Sequence, residues 1–428
     1  MYKKRLLDVK LKRFMESRFA ILVEGAKATG KTTTCKELTE HHFHLDSPQE
    51  LEAVAQTSYK ILFVNEGNIL IDEWQFHPEI WNVVRRKVDE GNFTGTIFLT
   101  GSSPSLQPWV HSGSGRILRF KMRPLSIEER EIEIPKIRIA EMLNFETFGS
   151  RQEFFYQTKI TLEDYLDEIY KSGFPGIRDE DEDIRKESLE SYINNIVHHD
   201  IAENGANIRK PAAMRAWIRS YSAAIGTTTN AKTIADAAFA DNEESLADST
   251  LQNYRELLKG ISITEEVQAW LPFGQLFSNL GKVPKHFIVD PALSVHLLNI
   301  SKKNLLLGRR LPKTIGKLNK TFLGQLFEGL VYQSLATYAE INGASISHLR
   351  LRGGEKEIDF IIQREDVLIA VEVKSKILIN DKDVANLNWF EKKIGDEYDV
   401  IKLVITVGEN AYRREDGVIV CPLALLGV

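Results

Sequence analysis

Eight consecutive residues, Gly25-Ala26-Lys27-Ala28-Thr29-Gly30-Lys31-Thr32, fit the spacing G-x-x-x-x-G-K-[ST]. They follow an apolar stretch (19–23) that reads as a strand and open a stretch (31–41) that reads as a helix. In that context the turn is a phosphate cradle. Its glycines let backbone N–H groups curl around a β-phosphate, the helix N-terminus adds partial positive charge, and Lys31 reaches the β- and γ-phosphates. Gly25, Ala28, Thr29, Gly30, Lys31, Thr32 and Thr33 form the expected cradle, with the Thr32 hydroxyl on Mg²⁺. A second element, Asn68-Ile69-Leu70-Ile71-Asp72-Glu73, is an apolar strand ending in two carboxylates, the pattern of a Walker B strand. Asp72 is placed to hold Mg²⁺ through water. Glu73 is placed to polarise an attacking water, which separates a hydrolase from a passive nucleotide binder. The nucleotide implied is ATP. A third strand ends at Thr100-Gly101-Ser102; Thr100 and Ser102 are candidates to sense the γ-phosphate, and ordinary turn chemistry is the competing explanation. Arg116 follows the flexible stretch His111-Ser112-Gly113-Ser114-Gly115 and could deliver a guanidinium to the transition-state charge, within the subunit or across to a neighbour. Arg119 and Arg123 are its rivals, and a structural ion pair is the alternative.

A second constellation lies near the C-terminus. Ile369-Ala370-Val371-Glu372-Val373-Lys374 reads as a strand, on which alternation puts Glu372 and Lys374 on one face and Val371 and Val373 on the other. Asp359, on the strand before, brings a second carboxylate to the same place. Hard oxygen ligands suit Mg²⁺ or Mn²⁺, so Asp359 and Glu372 are the expected metal pair, and Lys374 could stabilise a hydroxide or the charge on a scissile phosphate. This D-x(n)-E-x-K order is the active-site pattern of many metal-dependent DNA nucleases, and Glu328 on the preceding helix would complete it. A surface ion pair explains an isolated E-x-K equally well. The set can also bind metal or nucleic acid without cutting.

The elements that must position these groups divide the 428 residues into several folding units, since one core rarely extends so far. Alternating strands and helices through 19–100 imply a parallel α/β sheet, with the apolar-spaced segment 2–18 lying across it. From 162 to 203 the pattern is helical, broken at Ser172-Gly173-Phe174-Pro175-Gly176 and at an acidic run, 179–183, that reads as a solvated loop. Helical stretches at 210–224, 233–239 and 249–259, then an extended stretch at 263–271, suggest a winged helix whose third helix could enter a DNA groove; a packing module is the equal alternative. Residues 304–320 read as a basic linker. The rest alternates helix (321–341), three strands (345–352, 357–363, 367–374), helix (381–393) and strand (400–407). With Lys+Arg 55 against Asp+Glu 60, no global basic field announces a nucleic-acid binder. No apolar run approaches the roughly 18 to 20 residues a membrane span requires, and the charged start is unlike a signal peptide, so a cytoplasmic protein without membrane contact is expected. Cys35 and Cys421 offer neither a disulfide framework nor a thiolate metal site.

At this point the chain resembles the prokaryotic AAA-like P-loop ATPases, related to the STAND class, that carry a C-terminal PD-(D/E)xK nuclease-type domain of unknown function. The resemblance rests on the Walker elements together with Asp72-Glu73-Trp74-Gln75, Leu99-Thr100-Gly101-Ser102, His111 to Arg116, Met122-Arg123-Pro124-Leu125-Ser126, Trp270-Leu271-Pro272, Pro284-Lys285, Asp290-Pro291 and Leu326-Phe327-Glu328. It implies nucleotide-site roles for Lys31, Thr32, Asp72 and Glu73, the Gly-Arg position for Arg116, and a nuclease-type site at Glu328, Asp359, Glu372 and Lys374. Departures are Ala26, Ala28 and Thr29, where relatives often carry Pro, Trp and Cys, and an insertion at 237–248 that argues against direct groove reading.

The expected fold is therefore α/β: an AAA-like P-loop NTPase parallel sheet (1–160), a helical lid (161–204), a winged-helix-like middle domain (205–303) and a PD-(D/E)xK nuclease-like α/β domain (304–428). The expected function is Mg-dependent ATP hydrolysis whose nucleotide state controls a metal-dependent nuclease-type or DNA-binding module. The alternative is a non-catalytic STAND-like switch, in which ATP gates assembly of a homo-oligomer or capture of a partner. A small-molecule kinase is a third reading, disfavoured by Glu73 beside Asp72.

Overall fold

The computed structural model describes residues 2–17, 19–64, 66–102, 114–149, 153–201, 210–239, 247–272, 281–306 and 321–428. Its first sheet comprises β1 (Ala20–Glu24), β2 (His41–His44), β3 (Ile69–Asp72), β4 (Ile97–Gly101) and β5 (Ile117–Lys121). All pairings are parallel, in the order β2-β3-β4-β1-β5. Parallel strands need crossovers that cover both faces, so the central strands read as continuous apolar runs. Alternate residues feed opposite layers. Leu22, Ile71 and Leu99 pack against Trp81 and Val84 of the helix Glu79–Glu90. Ile21, Val23 and Phe98 pack against Leu7 and Leu11 of the N-terminal helix Leu6–Phe14.

Two of these strands are not evident in the sequence. The expected helix 31–41 stops at Lys36, and His41–His44 becomes the edge strand β2 beside β3. Three successive threonines give that helix low intrinsic propensity, and the polar edge strand gives no apolar signature. β5 is the other addition, paired to β1 from Ala20↔Ile117 to Glu24↔Lys121.

Next come β6 (Ile137–Arg138), β7 (Phe155–Gln157) and the helices Leu162–Lys171, Pro175–Arg178 and Glu182–Asn195. The break between the first two helices falls at Ser172, whose φ is 70°. Asp290 holds it there, accepting hydrogen bonds from the Ser172 hydroxyl (2.8 Å) and the Gly173 amide (2.6 Å). Three helices follow, Pro211–Ala223, Ala231–Ala238 and Asp248–Gly260, and then an antiparallel ribbon of β8 (Thr264–Val267) and β9 (Lys285–Ile288).

The second large sheet contains β10 (Ser345–Arg350), β11 (Glu357–Arg364), β12 (Val367–Lys374), β13 (Asp399–Thr406), β14 (Asn410–Arg413) and β15 (Ile419–Pro422). Its order is β10-β11-β12-β13-β15-β14-β7, and β16 (Leu426–Gly427) pairs separately with β6. The helix Thr321–Asn342 packs on one face of this sheet and Asp381–Ile394 on the other. Because β7 adds to its edge, residues 155–157 belong with the C-terminal sheet, not with the ATPase core expected to run to 160. One continuous apolar core runs from Ile127 through Tyr165, Trp217 and Phe287 to Phe327 and Leu426, so the helical segment 162–201, the middle unit and the C-terminal unit share their interior. The basic residues 309–320 and most of the 237–248 insertion lie outside the described residues.

Candidate nucleotide site and C-terminal carboxylate cluster

The turn between β1 and the helix Lys31–Lys36 can be built only with glycine at its ends. Gly25 has φ 150° and Gly30 φ 96°, and a Cβ on Gly25 would collide with the Met122 carbonyl. The loop is clamped from several sides. Arg5, buried beneath it, donates to the Thr29 carbonyl (2.6 Å), the Arg123 carbonyl (2.6 Å) and Glu129 (2.9 Å). From the helical segment after the sheet, Asp200 pairs with Lys27 at 2.9 Å and the Tyr192 hydroxyl donates to the Lys27 carbonyl at 3.2 Å.

Strand order then converges the chemistry. β4 lies between β1 and β3, so the C-terminal ends of all three meet. Asp72 Oδ1 accepts from Thr32 Oγ1 at 2.9 Å and from the Thr100 hydroxyl, while His44 Nδ1 lies 3.2 Å from Oδ2. Lys31 Nζ folds back onto the Gly25 and Ala26 carbonyls, each at 2.9 Å. Glu73 sits just past β3 with φ 53°, and Gln75 donates to its carboxylate. Burial holds the Glu73 carboxyl above its usual range although Lys31 pulls the other way; the Lys31 ammonium is pushed down by burial, with Glu73 and Asp72 opposing. Ser102 is buried at the end of β4 and Thr33 is exposed on the helix.

This donor set fits a nucleotide phosphate with a hard cation. The Lys31 ammonium is satisfied by main-chain carbonyls that a phosphate can replace, and a hydroxyl and a carboxylate face each other as Mg²⁺ requires.

Arg116 is placed elsewhere. It precedes β5, the strand next to β1, at the N-terminal end of the strands, and the five residues up to Lys121 separate it from the cradle by about 16 Å at roughly 3.3 Å per residue. Its guanidinium pairs with Asp89 at 2.8 Å and is 42% exposed. The structure therefore does not bring Arg116 to the cradle of its own chain. The rivals are engaged too: Arg119 lies 3.6 Å from Glu24, and Arg123 donates to both Glu265 oxygens at 3.1 Å. Glu265, on β8, also receives Lys121 at 3.1 Å and the Tyr332 hydroxyl at 2.5 Å. Burial works against its charge, but Arg123 and Lys121 outweigh it and hold the carboxyl down at about 2.

In the C-terminal sheet, β11 and β12 pair antiparallel with Phe360 opposite Val371, so Asp359 and Glu372 take the next position of the ladder. Each carboxylate is closed on an ammonium. Glu372 pairs with Lys374 at 2.5 Å, and Asp359 accepts from Lys285 Nζ (2.9 Å) and the Val373 amide (2.9 Å). Lys285 comes from β9 of the middle unit, is 1% exposed, and also lies 2.5 Å from Glu328 and 3.7 Å from Glu357. Burial pushes the Glu328 and Glu372 carboxyls up to about 8, whereas Asp359, despite burial, is held low by Lys285 and Lys374. His348, fully buried on β10, donates from Nε2 to the Val283 carbonyl, 3.0 Å away. The expected metal pair therefore does not present an open cation site: Lys285 supplies the positive charge. Among the described residues no group of three or more His, Cys, Asp or Glu is arranged to hold a metal ion.

Sequence reasoning assigned no role to Arg5, His44, Lys27, Glu265, Glu357 or Lys285. Lys285 had one visible signal, its place in the Pro284-Lys285 motif at the start of a strand. The third helix of the middle unit offers little free charge, since Arg255 and Lys259 both pair with Glu266. Beyond β8, Trp270 docks on the C-terminal sheet, its amide donating to the His348 carbonyl at 2.7 Å and its indole to Gln363 at 2.9 Å.

Three family models match the chain: an AAA domain over residues 17–131, and two domains of unknown function, DUF8612 over 162–304 and DUF4143 over 323–426. An uncharacterized protein of Methanocaldococcus jannaschii is 27% identical over 217 residues, covering 45% of this chain and 45% of that protein. The chain thus spans less than half the length of that relative. An uncharacterized protein of Haemophilus influenzae is 24% identical over 338 residues, covering 78% of this chain and 71% of that protein. Among solved structures, the Aeropyrum pernix ORC1 protein in complex with DNA aligns over 70% of this chain and 93% of its own, at 12% identity and a TM-score of 0.25. Can2 from Sulfobacillus thermosulfidooxidans in complex with cyclic tetra-adenylate aligns over 95% and 96%, at 10% identity and a TM-score of 0.20. Likeness that loose carries no argument. No helix among the described residues is long and apolar enough to cross a membrane. The AAA match and the five-stranded parallel sheet agree: the N-terminal part of the chain is an AAA-like P-loop nucleotide-binding domain.

Proposed function

We propose that this chain hydrolyses ATP at the Gly25–Thr32 cradle and passes its nucleotide state, through the lid and the β8-β9 ribbon, to the C-terminal sheet. The single observation behind the hydrolytic half is the meeting of Thr32, Thr100 and His44 on Asp72, with Glu73 beside them. In this reading the cradle amides with Lys31 bind the phosphates, Thr32 and Asp72 hold Mg²⁺, Thr100 and Ser102 register the γ-phosphate, and Glu73 orients and polarises water. Burial, against the pull of Lys31, raises the Glu73 carboxyl and makes it a stronger proton acceptor. Arg116, exposed and remote from its own cradle, fits a role toward a second copy of the chain.

Coupling is supported by two buried ion clusters on adjacent strands. Glu265 on β8 ties the ribbon to Arg123 and Lys121 next to the cradle sheet, and Lys285 on β9 ties it to Asp359 and Glu328. The filled cation position favours the switch-like variant of this reading over constitutive metal-dependent cleavage by Glu328, Asp359, Glu372 and Lys374. A winged helix is the proposed description of the middle unit, and nucleic acid the first partner class to test, through surfaces other than its third helix. The test is phosphate release from ATP by wild type, Lys31→Ala and Glu73→Gln: release by wild type alone supports hydrolysis at this site, and equal release by all three refutes it.

A further inference from the structure

The C-terminal acidic cluster is drawn together from two elements of one unit, and its counter-charge comes from another. Glu328 projects from the helix Thr321–Asn342, Glu357 and Asp359 from β11, and all three lie within 3.7 Å of Lys285 Nζ. Neither side is stable in this place alone. A buried ammonium without partners carries a large desolvation cost, and the same holds for a buried carboxylate. The remaining charges are already matched: Arg350 lies 3.6 Å from Glu357, and Lys374 pairs with Glu372. The turn after the helix Pro211–Ala223, whose Gly226 amide donates to the His286 carbonyl of β9, closes over the same spot, since a Cβ on Gly226 would stand 3.3 Å from Glu328 Oε2. A Mg²⁺ or Mn²⁺ ion needs six oxygen ligands at short range, and the Lys285 ammonium takes up the oxygens it would use.

We propose that Lys285 is the resident cation of this cluster: an ammonium supplied by the middle unit in the place of a divalent metal. The pocket is then a lysine-binding site that latches β9 to the C-terminal sheet. Divalent cation and latch compete for the same carboxylates, so metal enters only when the ribbon is withdrawn. This inference is independent of ATP hydrolysis, because it concerns groups that do not touch the cradle.

The experiment is Mn²⁺ binding to the full-length chain without nucleotide, read from the electron paramagnetic resonance signal of free Mn²⁺. Wild type and Asp359→Asn should take up the same amount. Lys285→Met should gain one equivalent, lost again in Lys285→Met/Asp359→Asn. Amide hydrogen exchange at β9 and β11 should quicken at least tenfold in Lys285→Met and be restored by Lys285→Arg. An Asp359-dependent equivalent in wild type overturns the proposal, whether or not the Lys285 variants fold. So does a folded Lys285→Met that gains no metal.

Discussion

Arg5 provides a quantitative test of how the cradle is held. Its side chain is 3% exposed and that of its partner Glu129 is 2% exposed, so the pair is fully desolvated. Arg5→Met would leave the Glu129 charge without its ammonium-type partner and the Thr29 and Arg123 carbonyls without donors. Glu129 retains the Ser126 and Leu6 amides and the Ser126 hydroxyl, which lowers the cost toward the small end of the range for breaking a buried pair, about 3 kcal/mol. At about 1.4 kcal/mol per factor of ten, that is a loss of roughly 150-fold in protection. Hydrogen exchange at β1 and β4 reads this locally, without requiring the whole chain to unfold in one step. Arg5→Met/Glu129→Gln should recover part of the loss, because the stranded charge is gone. Nucleotide affinity should weaken in parallel, since Thr29 lies in the cradle. A protection change below about tenfold, or a double variant worse than the single, would refute this account of the clamp.

Three further outcomes follow from the same geometry. Gly25→Ala should weaken binding of a fluorescent ATP analogue by about 10- to 100-fold, from roughly 1 to 3 kcal/mol of backbone strain plus the Met122 clash; unchanged affinity would show that the loop does not need its left-handed φ. Glu265, held at about 2 against an ordinary 4.5, contributes stability present above pH 4.5 and lost as pH falls through about 2. Calorimetric melting of Glu265→Gln should therefore fall below wild type at pH 7 by at most about 3 kcal/mol, and the gap should close toward pH 2; a gap constant with pH contradicts the assignment. Arg116→Ala should leave ATP affinity intact and lower turnover, by up to about a thousandfold, only at concentrations where the chain self-associates. An equal loss in dilute monomer would place Arg116 in its own subunit's site.

The cradle and the two carboxylates were legible in the sequence because their chemistry depends on contiguous residues: Gly25 to Thr32 and Asp72-Glu73 carry their spacing with them. The sandwich of β4 between β1 and β3 was not, although it is what brings Thr100 to Asp72, since strand order is a long-range property that apolar runs do not encode. Arg116 shows the reverse limit. Its glycine-rich approach suggested reach, but only the parallel register reveals which end of the strands it occupies. In the C-terminal unit, alternation correctly put Glu372 and Lys374 on one face, and they do pair. The lysine that closes on Asp359 lies 74 residues away in another unit, beyond any local pattern. Edge strands such as β2 and β7 were hidden because they are short and have little apolar burial.

The most direct test of the whole account is an anomalous-scattering map from crystals grown with a nonhydrolysable ATP analogue and Mn²⁺. The account predicts a triphosphate in the Gly25–Thr32 loop, one Mn²⁺ peak between Thr32 and Asp72, and Lys285 still seated against Asp359 with no peak beside it. A triphosphate bound away from Lys31, or a Mn²⁺ peak joining Asp359 to Glu372 while Lys285 keeps its place, would contradict it.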